Sequence, residues 1–261
     1  MRLDSSIAAI VTGSASGLGE ATARHLASFG VRVGILDLNP ERGERVAAEI
    51  GGVFARCDVT DDASVAEALA KARGRHGVER ILVNCAGIVA GRRTVSKDRE
   101  TGALLAHDLG SFTKVISINL IGTFRMIAQC SVAMAGLEPL DADGGRGVIV
   151  STASVAAEDG QIGQAAYSAS KAGVAGMTLP IARDLASHGI RVMSIMPGIF
   201  HTPMFDQISE EYRKSLAQQV PFPQRLGKPA EYASLVESIC RNDYLNGTSI
   251  RLDGTIRLAP K

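Results

Sequence analysis

The chain has 261 residues, 46% of them apolar, and 28 basic against 27 acidic side chains give a formal net charge of +1. This length and apolar fraction suffice for one large buried core, so we expect a single domain over residues 1–261. The near-neutral balance excludes a global field that would attract nucleic acid or an anionic membrane, so no nucleic-acid partner is expected and an anionic ligand must be held locally.

The cysteines and histidines show no spacing typical of a metal site. Cys57, Cys85, Cys130 and Cys240 form no C-x-x-C pair, and no H-E-x-x-H pattern occurs. We therefore expect reduced thiols and no metal. The N-terminus lacks the pattern of a secretory signal, and Gly, Pro or charge interrupts every apolar run before it reaches membrane-spanning length. These features predict an intracellular protein without a membrane partner, in the cytoplasm or, in a eukaryote, alternatively in the mitochondrial matrix.

Short apolar or β-branched runs alternate with helical patterns along the chain. Strands are predicted at residues 7–12, 31–36, 53–56, 80–84, 147–152, 191–196 and 249–252. The early runs are apolar at almost every position, as is typical of parallel strands covered on both faces. The alternation predicts an α/β fold of the Rossmann type, with a doubly wound, mostly parallel sheet of about seven strands and helices on both faces.

Two segments interrupt this alternation. Residues 88–110 are polar and rich in charge, and they form a longer connection than is usual in such sheets. Residues 199–226 contain several prolines, aromatic residues including Phe205, and an amphipathic stretch over 208–220 that could cover a substrate pocket. Both segments follow the C-terminal ends of strands, where doubly wound sheets bind their ligands.

The first predicted strand runs directly into a glycine-rich turn. Residues 12–19 read TGSASGLG, and a helical pattern follows over 20–28. Gly13 permits the tight turn, Gly17 lets the backbone approach a pyrophosphate, and Gly19 allows close packing of the helix. The N-terminus of that helix supplies N–H groups for an anion. The turn in this context predicts a dinucleotide site rather than a merely flexible loop.

An acidic residue at the end of the second predicted strand bears on the choice of coenzyme. Asp37 could accept hydrogen bonds from both ribose hydroxyls, and it would repel the 2′-phosphate of NADP, which favours NAD. A carboxylate here also suits the start of a turn before Asn39 and Pro40. Arg42 could reach a 2′-phosphate, but it falls within the next predicted helix, and the glycine turn has no basic residue.

Small and polar residues follow the next two predicted strands at the same edge of the sheet. Asp58 and Val59 could pair with the adenine amine and cover its ring, and residues 84–87, which read NCAG, leave space for a nucleotide. Each stretch alone would pass for an ordinary strand exit. Together they predict one nucleotide-binding edge.

The fifth predicted strand leads to a candidate proton-transferring set. If the chain is helical from Gln164 onward, the Y-x-x-x-K pair Tyr167 and Lys171 lies on one face with the ammonium near the phenol. An adjacent cation would lower the pKa of Tyr167 towards the range useful for proton exchange near neutral pH. Ser154 could hydrogen-bond the substrate oxygen. Alone, such a pair is more often a solvated surface contact, but the upstream dinucleotide turn favours catalysis.

At this point the chain resembles the short-chain dehydrogenase/reductase superfamily over nearly its whole length. The matching residues are the glycine turn, Asp58, Asn84-x-Ala86-Gly87, Asn119, Ser154, Tyr167-x-x-x-Lys171 and Pro197-Gly198. The resemblance implies that Tyr167 is the general acid/base and that Ser154, rather than its neighbour Ser151, positions the substrate oxygen. It further implies that Lys171 lowers the Tyr pKa and binds the nicotinamide ribose, and that Asn119 holds a water of the proton relay.

The resemblance also assigns less prominent positions. It places Thr202 near the nicotinamide amide and the pyrophosphate, whereas Cys85 departs from the pattern because many members have Asn there. The predicted catalytic residues are Ser154, Tyr167, Lys171 and Asn119, and those predicted to bind substrate are Ser154, Gln164 and Tyr167. The predicted coenzyme-binding residues are Gly13, Ser16, Gly17, Leu18, Gly19, Asp37, Asp58, Val59, Asn84, Cys85, Ala86, Gly87, Tyr167, Lys171, Pro197, Gly198, Phe200 and Thr202.

Within the superfamily, residues 152–157, 160–167, 176–184, 220–227 and 245–257 are similar to the type 2 3-hydroxyacyl-CoA dehydrogenases. This resemblance implies 3-hydroxyacyl-CoA substrates, some hydroxysteroids, and a homotetramer. The charged segment after Asn84 resembles an insertion of that subfamily, and its Arg92, Arg93 and Lys97 could reach the phosphates of CoA. A solvated loop or a subunit contact is the other interpretation.

Two further functions stay open beside this enzyme. One is a hydroxysteroid or general secondary-alcohol dehydrogenase, with the apolar segment 199–220 as the wall of its pocket. The other is a nucleotide-binding scaffold that serves assembly or RNA processing. The complete catalytic set and the lack of a basic stripe argue against the scaffold as the main function.

Overall fold

The structure, a computed structural model, describes residues 1–203 and 209–260 of the chain. The strands are β1 (Ala8–Thr12), β2 (Arg32–Asp37), β3 (Val53–Arg56), β4 (Ile81–Asn84), β5 (Val95–Lys97), β6 (Leu104–Ala106), β7 (Gly147–Thr152), β8 (Ile190–Pro197) and β9 (Ser249–Leu252). The helices are α1 (Gly17–Ser28), α2 (Pro40–Ile50), α3 (Asp62–His76), α4 (Leu109–Ile116), α5 (Thr123–Ala135), α6 (Ala165–Asp184), α7 (Glu210–Gln218) and α8 (Pro229–Arg241).

Seven of the described strands form one parallel sheet in the order β3-β2-β1-β4-β7-β8-β9. This confirms the predicted fold class. The strand order reverses between β1 and β4, so the connections after these two strands leave towards opposite faces and open a crevice at their C-terminal ends. The glycine turn and residues 84–87 both leave the sheet at that crevice.

The sheet is buried on both faces because its strands are apolar throughout. Val11 and Val83 point to the layer packed with α1 and α8, whereas Ile10 and Leu82 point to the layer packed with α3 and α5. This division follows from the alternation of side chains along a strand. Every residue of β1 and β4 is buried as a result.

The segment predicted to be irregular after β4 contains an antiparallel hairpin. Strands β5 and β6 pair through Ser96 and Leu105, and the Asp98 carboxylate accepts hydrogen bonds from the backbone N–H groups of Glu100 and Thr101 to close the turn. The sequence did not indicate these strands because they are only three residues long and mostly exposed, and so they show no alternation of apolar and polar residues.

The second irregular segment is partly helical. Helix α7 lies within the predicted amphipathic stretch, whose first residue, with Phe205, lies outside the described residues. Phe200 forms an isolated parallel bridge with Gly227. A side chain at Gly227 would approach the Phe200 ring to 2.8 Å, so the two ends of the segment are held together closely.

One helical run is long and apolar enough on average to cross a membrane, although Lys114, Gly122 and Arg125 interrupt its apolar residues as expected. Residues Leu109–Ala135 form 27 continuous helical residues, and an 18-residue window within them has a mean hydropathy of 1.4. Of that window, 44% is buried inside the protein. Met126 and Met134 are among the buried residues of α5. Core helices of globular proteins meet the same length and composition criterion, so this run is weak evidence for a membrane span.

A buried ion pair fixes the connection from α3 to β4. The Arg73 guanidinium donates from Nε at 2.9 Å and from Nη2 at 2.6 Å to the two carboxylate oxygens of Glu79, whose side chain is 1% exposed. The same Nη2 also donates to the Gln129 carbonyl on α5 at 3.4 Å. The pair therefore joins three elements on one face of the sheet.

We predict that Arg73→Met lowers the free energy of unfolding by about 3 kcal/mol, because it leaves the Glu79 carboxylate buried without a counter-charge. The matched control is Arg24→Met, which removes a guanidinium from the half-exposed pair with Glu20 and should cost less than about 1 kcal/mol. Urea unfolding of both variants measures the difference. Equal losses would show that burial of the pair contributes nothing to its strength.

Candidate active site

A cleft of about 1040 Å³ opens at the C-terminal ends of β1 to β4. Twelve predicted coenzyme-binding residues line it, and these are Gly13, Ser16, Gly17, Leu18, Gly19, Asp37, Asp58, Val59, Cys85, Ala86, Gly87 and Thr202. The cleft also includes residues for which the sequence carried no signal, among them Lys114, Ser117 and Arg125 on the α4–α5 run. Its walls thus come from positions far apart in the chain.

The glycine turn fits a group that must approach the backbone closely. Gly13 has a φ of 63°, and a Cβ there would lie 2.7 Å from the Ala86 nitrogen. A Cβ at Gly19 would lie 2.2 Å from the Gly13 carbonyl oxygen, so neither position admits a side chain. Helix α1 begins at Gly17, three residues earlier than predicted, and it directs its first N–H groups towards the turn. The arrangement fits the pyrophosphate of a dinucleotide.

The Asp37 carboxylate joins the glycine turn to the end of β2. Its Oδ2 accepts a hydrogen bond from the Ala15 N–H at 2.9 Å, and its Oδ1 accepts one from the Asn39 N–H at 3.0 Å. The turn-forming interpretation of the sequence is thereby confirmed, and Asp37 lines the cleft as well. Arg42 lies on α2, as predicted, but it lines the same part of the cleft.

Asp58 and Val59 form the next part of the wall. Asp58 Oδ1 accepts hydrogen bonds from both the N–H and the hydroxyl of Thr60, and these bonds lower the pKa of Asp58. Arg125 donates to the Val59 carbonyl at 2.7 Å and to Asp62, which anchors α5 beside this wall.

Tyr167 and Lys171 lie on α6, one turn apart. The Lys171 ammonium lies 5.8 Å from the centroid of the Tyr167 ring and donates a hydrogen bond to the Thr152 carbonyl at 2.7 Å. Lys171 is 5% exposed, whereas Tyr167 is half-buried. A Cβ on the cleft residue Gly87 would lie 3.6 Å from the Lys171 ammonium, so the pair borders the cleft.

The pKa values in this pair differ from the sequence-based prediction. Burial raises the pKa of Tyr167, and a hydrogen bond with Ser154 offsets part of this rise. The sequence-based prediction was that Lys171 would lower this pKa. Burial lowers the pKa of Lys171 to about 8. The physical reason is that the ammonium is itself desolvated and bonds the Thr152 carbonyl rather than the phenol.

The two candidate serines occupy different environments. Ser154 follows β7 and caps a short 3-10 turn, where its hydroxyl accepts a hydrogen bond from the Ala156 N–H at 3.1 Å. Ser151 lies within β7, 2% exposed, and accepts a hydrogen bond from the Asn84 amide at 3.3 Å. The hydrogen bond between Ser154 and Tyr167 agrees with the choice of Ser154.

Asn119 lies in a π-helical turn, Ser117–Gly122, between α4 and α5. Its Oδ1 accepts from the Ile88 N–H at 2.8 Å, and its Nδ2 donates to the Ile88 carbonyl at 2.9 Å and to Ser170 at 3.1 Å. Both amide hydrogens are thus used by protein acceptors. Asn119 ties the exit of β4 to α6, and its part in holding a water stays a prediction.

Several predicted residues lie apart from the cleft lining. Phe200 is 6% exposed and packs in the core against Gly227, because its segment turns back towards α8, so its side chain does not reach the cleft. Asn84 is 3% exposed and turns its amide into the sheet towards Ser151. Pro197 ends β8 in a buried position, and Gly198 packs against Asp253. These assignments as direct coenzyme contacts are not supported by the positions of the side chains.

Gln164 and the basic residues of the insertion lie near the start of α6. Gln164 Oε1 accepts from the Gln161 N–H at 3.1 Å, which is a local contact at the helix start. The Arg92 N–H donates to the Gly163 carbonyl at 2.8 Å, so the insertion is attached to the loop that precedes Tyr167. The side chains of Arg92, Arg93 and Lys97 are exposed.

Two residues behind Lys171 gave no sequence signal. Thr152 supplies the carbonyl that accepts from Lys171, and its hydroxyl lies 2.7 Å from the hydroxyl of Tyr232 on α8.

The four cysteines are free, with Cys57, Cys130 and Cys240 buried, and Cys85 half-buried at the cleft. Over residues 1–203 and 209–260, no three His, Cys, Asp or Glu side chains are grouped so that they could hold a metal ion.

Comparisons with known proteins agree with this geometry. A sequence model of the short chain dehydrogenases matches residues 7–213. The chain is 51% identical over 253 residues to the 3-hydroxyacyl-CoA dehydrogenase type-2 of Drosophila melanogaster, covering 96% of this chain and 97% of that protein. It is 51% identical over 257 residues to the Homo sapiens protein of the same name, covering 97% and 96%.

A solved structure is also similar. The crystal structure of 3-hydroxyacyl-CoA dehydrogenase type-2 from Mycobacterium avium superposes with a TM-score of 0.92 at 42% identity, covering 98% of each chain. The similarity therefore extends over nearly the whole length of both chains.

We predict that Gly19→Ala weakens NADH binding roughly tenfold or more, because overpacking against backbone costs about 1–3 kcal/mol. The added methyl would collide with the Gly13 carbonyl and displace the turn. Gly74→Ala is the control, since Gly74 lies in α3 with nothing within 4 Å of the added carbon. Titration of NADH fluorescence compares the two, and unchanged affinity in Gly19→Ala would contradict the assignment of the turn.

Proposed function

The chain belongs to the short-chain dehydrogenase family, and from this premise we propose that it interconverts 3-hydroxyacyl-CoA and 3-oxoacyl-CoA thioesters with NAD as its coenzyme. Membership makes it an oxidoreductase that uses a nicotinamide coenzyme. The observation that carries the proposal is the grouping of Tyr167, Ser154 and Lys171 at the border of the dinucleotide cleft. The relatives named for this reaction support the acyl-CoA substrate.

The chain's own residues account for the movement of the proton. When bound, the nicotinamide supplies the hydride chemistry. In reduction of the ketone, the Tyr167 hydroxyl donates its proton to the carbonyl oxygen, which the Ser154 hydroxyl orients. In oxidation of the alcohol, the Tyr167 phenolate accepts the hydroxyl proton, and the Lys171 ammonium stabilises the phenolate before that transfer; in reduction it stabilises the phenolate that forms as the proton leaves.

The raised pKa of Tyr167 affects reduction and oxidation in opposite ways. A raised pKa keeps the phenol protonated at neutral pH, which suits the acid required for reduction. Oxidation requires the phenolate and therefore accelerates as pH increases towards the pKa of Tyr167.

The carboxylate of Asp37 supports NAD over NADP. It lies in the wall of the cleft and accepts two backbone N–H bonds that hold it in place, so a 2′-phosphate there would meet a fixed negative charge. Arg42 in the same wall offers the opposite charge, and for this reason the preference calls for a direct test.

Attachment of the insertion to the loop before Tyr167 supports CoA binding. The hydrogen bond from Arg92 to Gly163 brings an exposed basic segment beside the catalytic helix, where CoA phosphates could pair with it.

We also propose a homotetramer, supported by the exposed apolar side chains Phe124 and Val132 on α5 and Leu179 on α6. The cytoplasmic location stays a prediction.

We predict that Tyr167→Phe lowers kcat for reduction of acetoacetyl-CoA by about 10²–10⁴-fold, because the proton donor is lost, while NADH still binds. A steady-state assay measures kcat, and titration of NADH fluorescence measures coenzyme binding separately. The serines provide a matched pair, since Ser154→Ala should lose activity whereas Ser151→Ala should mainly lose stability. Substantial turnover by Tyr167→Phe would refute the mechanism, and faster reduction of a free ketosteroid than of acetoacetyl-CoA would favour the steroid dehydrogenase.

We predict that Asp37→Asn raises the ratio of kcat/KM for NADP to that for NAD by about tenfold or more, because the repulsion of the 2′-phosphate is removed. Both coenzymes should bind more weakly, since one of the two backbone donors loses its acceptor. Asp58→Asn serves as the control in the same cleft and should leave the ratio unchanged. A ratio that does not move in Asp37→Asn would assign the specificity to another residue, with Arg42 the first to be examined.

A further inference from the structure

A chain of hydrogen bonds lies behind Lys171 and joins three elements. The Thr152 hydroxyl at the end of β7 lies 2.6 Å from the Asn84 carbonyl at the end of β4, and 2.7 Å from the Tyr232 hydroxyl on α8. The Cys85 thiol lies 3.8 Å from the Tyr232 hydroxyl. Tyr232 is completely buried, so its hydroxyl has no access to bulk water.

The direction of each donor in this chain follows from the acceptors. The Asn84 backbone carbonyl can only accept, and at 2.6 Å it takes the Thr152 hydrogen in preference to the Cys85 sulfur at 3.4 Å; the Tyr232 hydroxyl must then donate to Thr152. The Cys85 thiol in turn donates to Tyr232. Burial raises the pKa of the Cys85 thiol, which keeps its hydrogen in place for that bond. The hydrogens of the three side chains are thereby all assigned.

Thr152 connects this chain to the catalytic lysine. Its backbone carbonyl accepts the hydrogen bond from the Lys171 ammonium at 2.7 Å, while its side chain is held by Asn84 and Tyr232. The position of that carbonyl therefore depends on the side-chain bonds of the same residue. Because Lys171 is buried, displacement of the carbonyl would leave the ammonium without a partner that compensates for its desolvation.

We propose that Tyr232 is a positioning residue that sets the place and charge of Lys171 through Thr152. Tyr232 lies beyond residues 7–213, the part of the chain that matches the family model. Its partner Cys85 occupies the position at which this chain departs from the Asn common in the family. The inference rests on the proposed function, since it concerns the same Tyr167 and Lys171 pair.

The groups that face the pair define the expected effect on pH dependence. Among the described residues, Lys171 is influenced by the Cys85 thiol from the β4 exit and faces the Tyr167 ring on its own helix, and Tyr167 bonds Ser154 from the turn after β7. The Thr152 carbonyl stabilises the charged form of Lys171. If the Thr152 carbonyl is displaced, its hydrogen bond with Lys171 weakens and the pKa of Lys171 falls. The positive charge beside Tyr167 is then smaller, so the pKa of Tyr167 rises.

Tyr232→Phe removes only the phenolic oxygen, and Thr152→Val replaces the hydroxyl that it contacts with a methyl group. In both variants we expect the acidic limb of the kcat profile for alcohol oxidation to move up by about half a pH unit or more, because oxidation requires the Tyr167 phenolate. The profile is recorded on the full-length enzyme at saturating 3-hydroxybutyryl-CoA and NAD. Thr152→Ser keeps the hydroxyl and should keep the wild-type limb.

Tyr244→Phe is the matched control, since it removes the same oxygen from a side chain that is 99% exposed. A merely structural role for Tyr232 would lower the melting temperature or reduce kcat evenly at every pH without moving the limb, and that result would overturn the proposal. An unshifted limb in Thr152→Val overturns it as well, even if Tyr232→Phe does not fold, and so does an equal shift in Thr152→Ser.

The failure of this inference can be told apart from failure of the proposed function. If Tyr167→Phe retains turnover, the proposed function is wrong. If Tyr167→Phe is inactive while Tyr232→Phe and Thr152→Val keep the wild-type limb, only the positioning role is wrong.

Discussion

Burial of the Lys171 ammonium is the constraint on which the active site depends. A charged group removed from water requires polar partners, and the Thr152 carbonyl at 2.7 Å supplies one. Burial has already lowered the pKa of Lys171 to about 8, so its charge at neutral pH depends on that environment. The neighbouring elements are arranged accordingly, because the exits of β4 and β7 and helix α8 meet at the Thr152 side chain.

The parallel sheet explains how this arrangement meets the coenzyme cleft. All parallel strands end at one edge, and the reversal of strand order between β1 and β4 opens the crevice there. The glycine turn can lie against residues 84–87 only because Gly13 lacks a side chain, since a Cβ would lie 2.7 Å from the Ala86 nitrogen. Gly87 has a related role, because its lack of a side chain leaves the space between Asn119 and Lys171 open towards the cleft.

Local patterns predicted most of the fold, and the exceptions have physical causes. The strands at 53–56, 147–152 and 249–252 have the predicted bounds, since each is a short apolar or β-branched run with clear ends. The β5–β6 hairpin was missed because it is short and exposed and its register comes from the turn at Asp98. The ring of Phe200 lies in the core rather than in the cleft because of the bridge to Gly227, so its contact with the coenzyme stays a prediction.

The sequence by itself determined the residue types of the site: the glycine turn, Asp37 and Ser154 near the strand ends, and the Tyr167–Lys171 pair on a helix, are all readable from spacing along the chain. Only the tertiary structure decided the state of those residues. The pKa of Tyr167 is raised rather than lowered, and the partner of Lys171 is a carbonyl held by Tyr232, which lies on a distant helix. Desolvation and hydrogen bonding depend on everything that surrounds a group in space, and a local pattern contains only its neighbours along the chain.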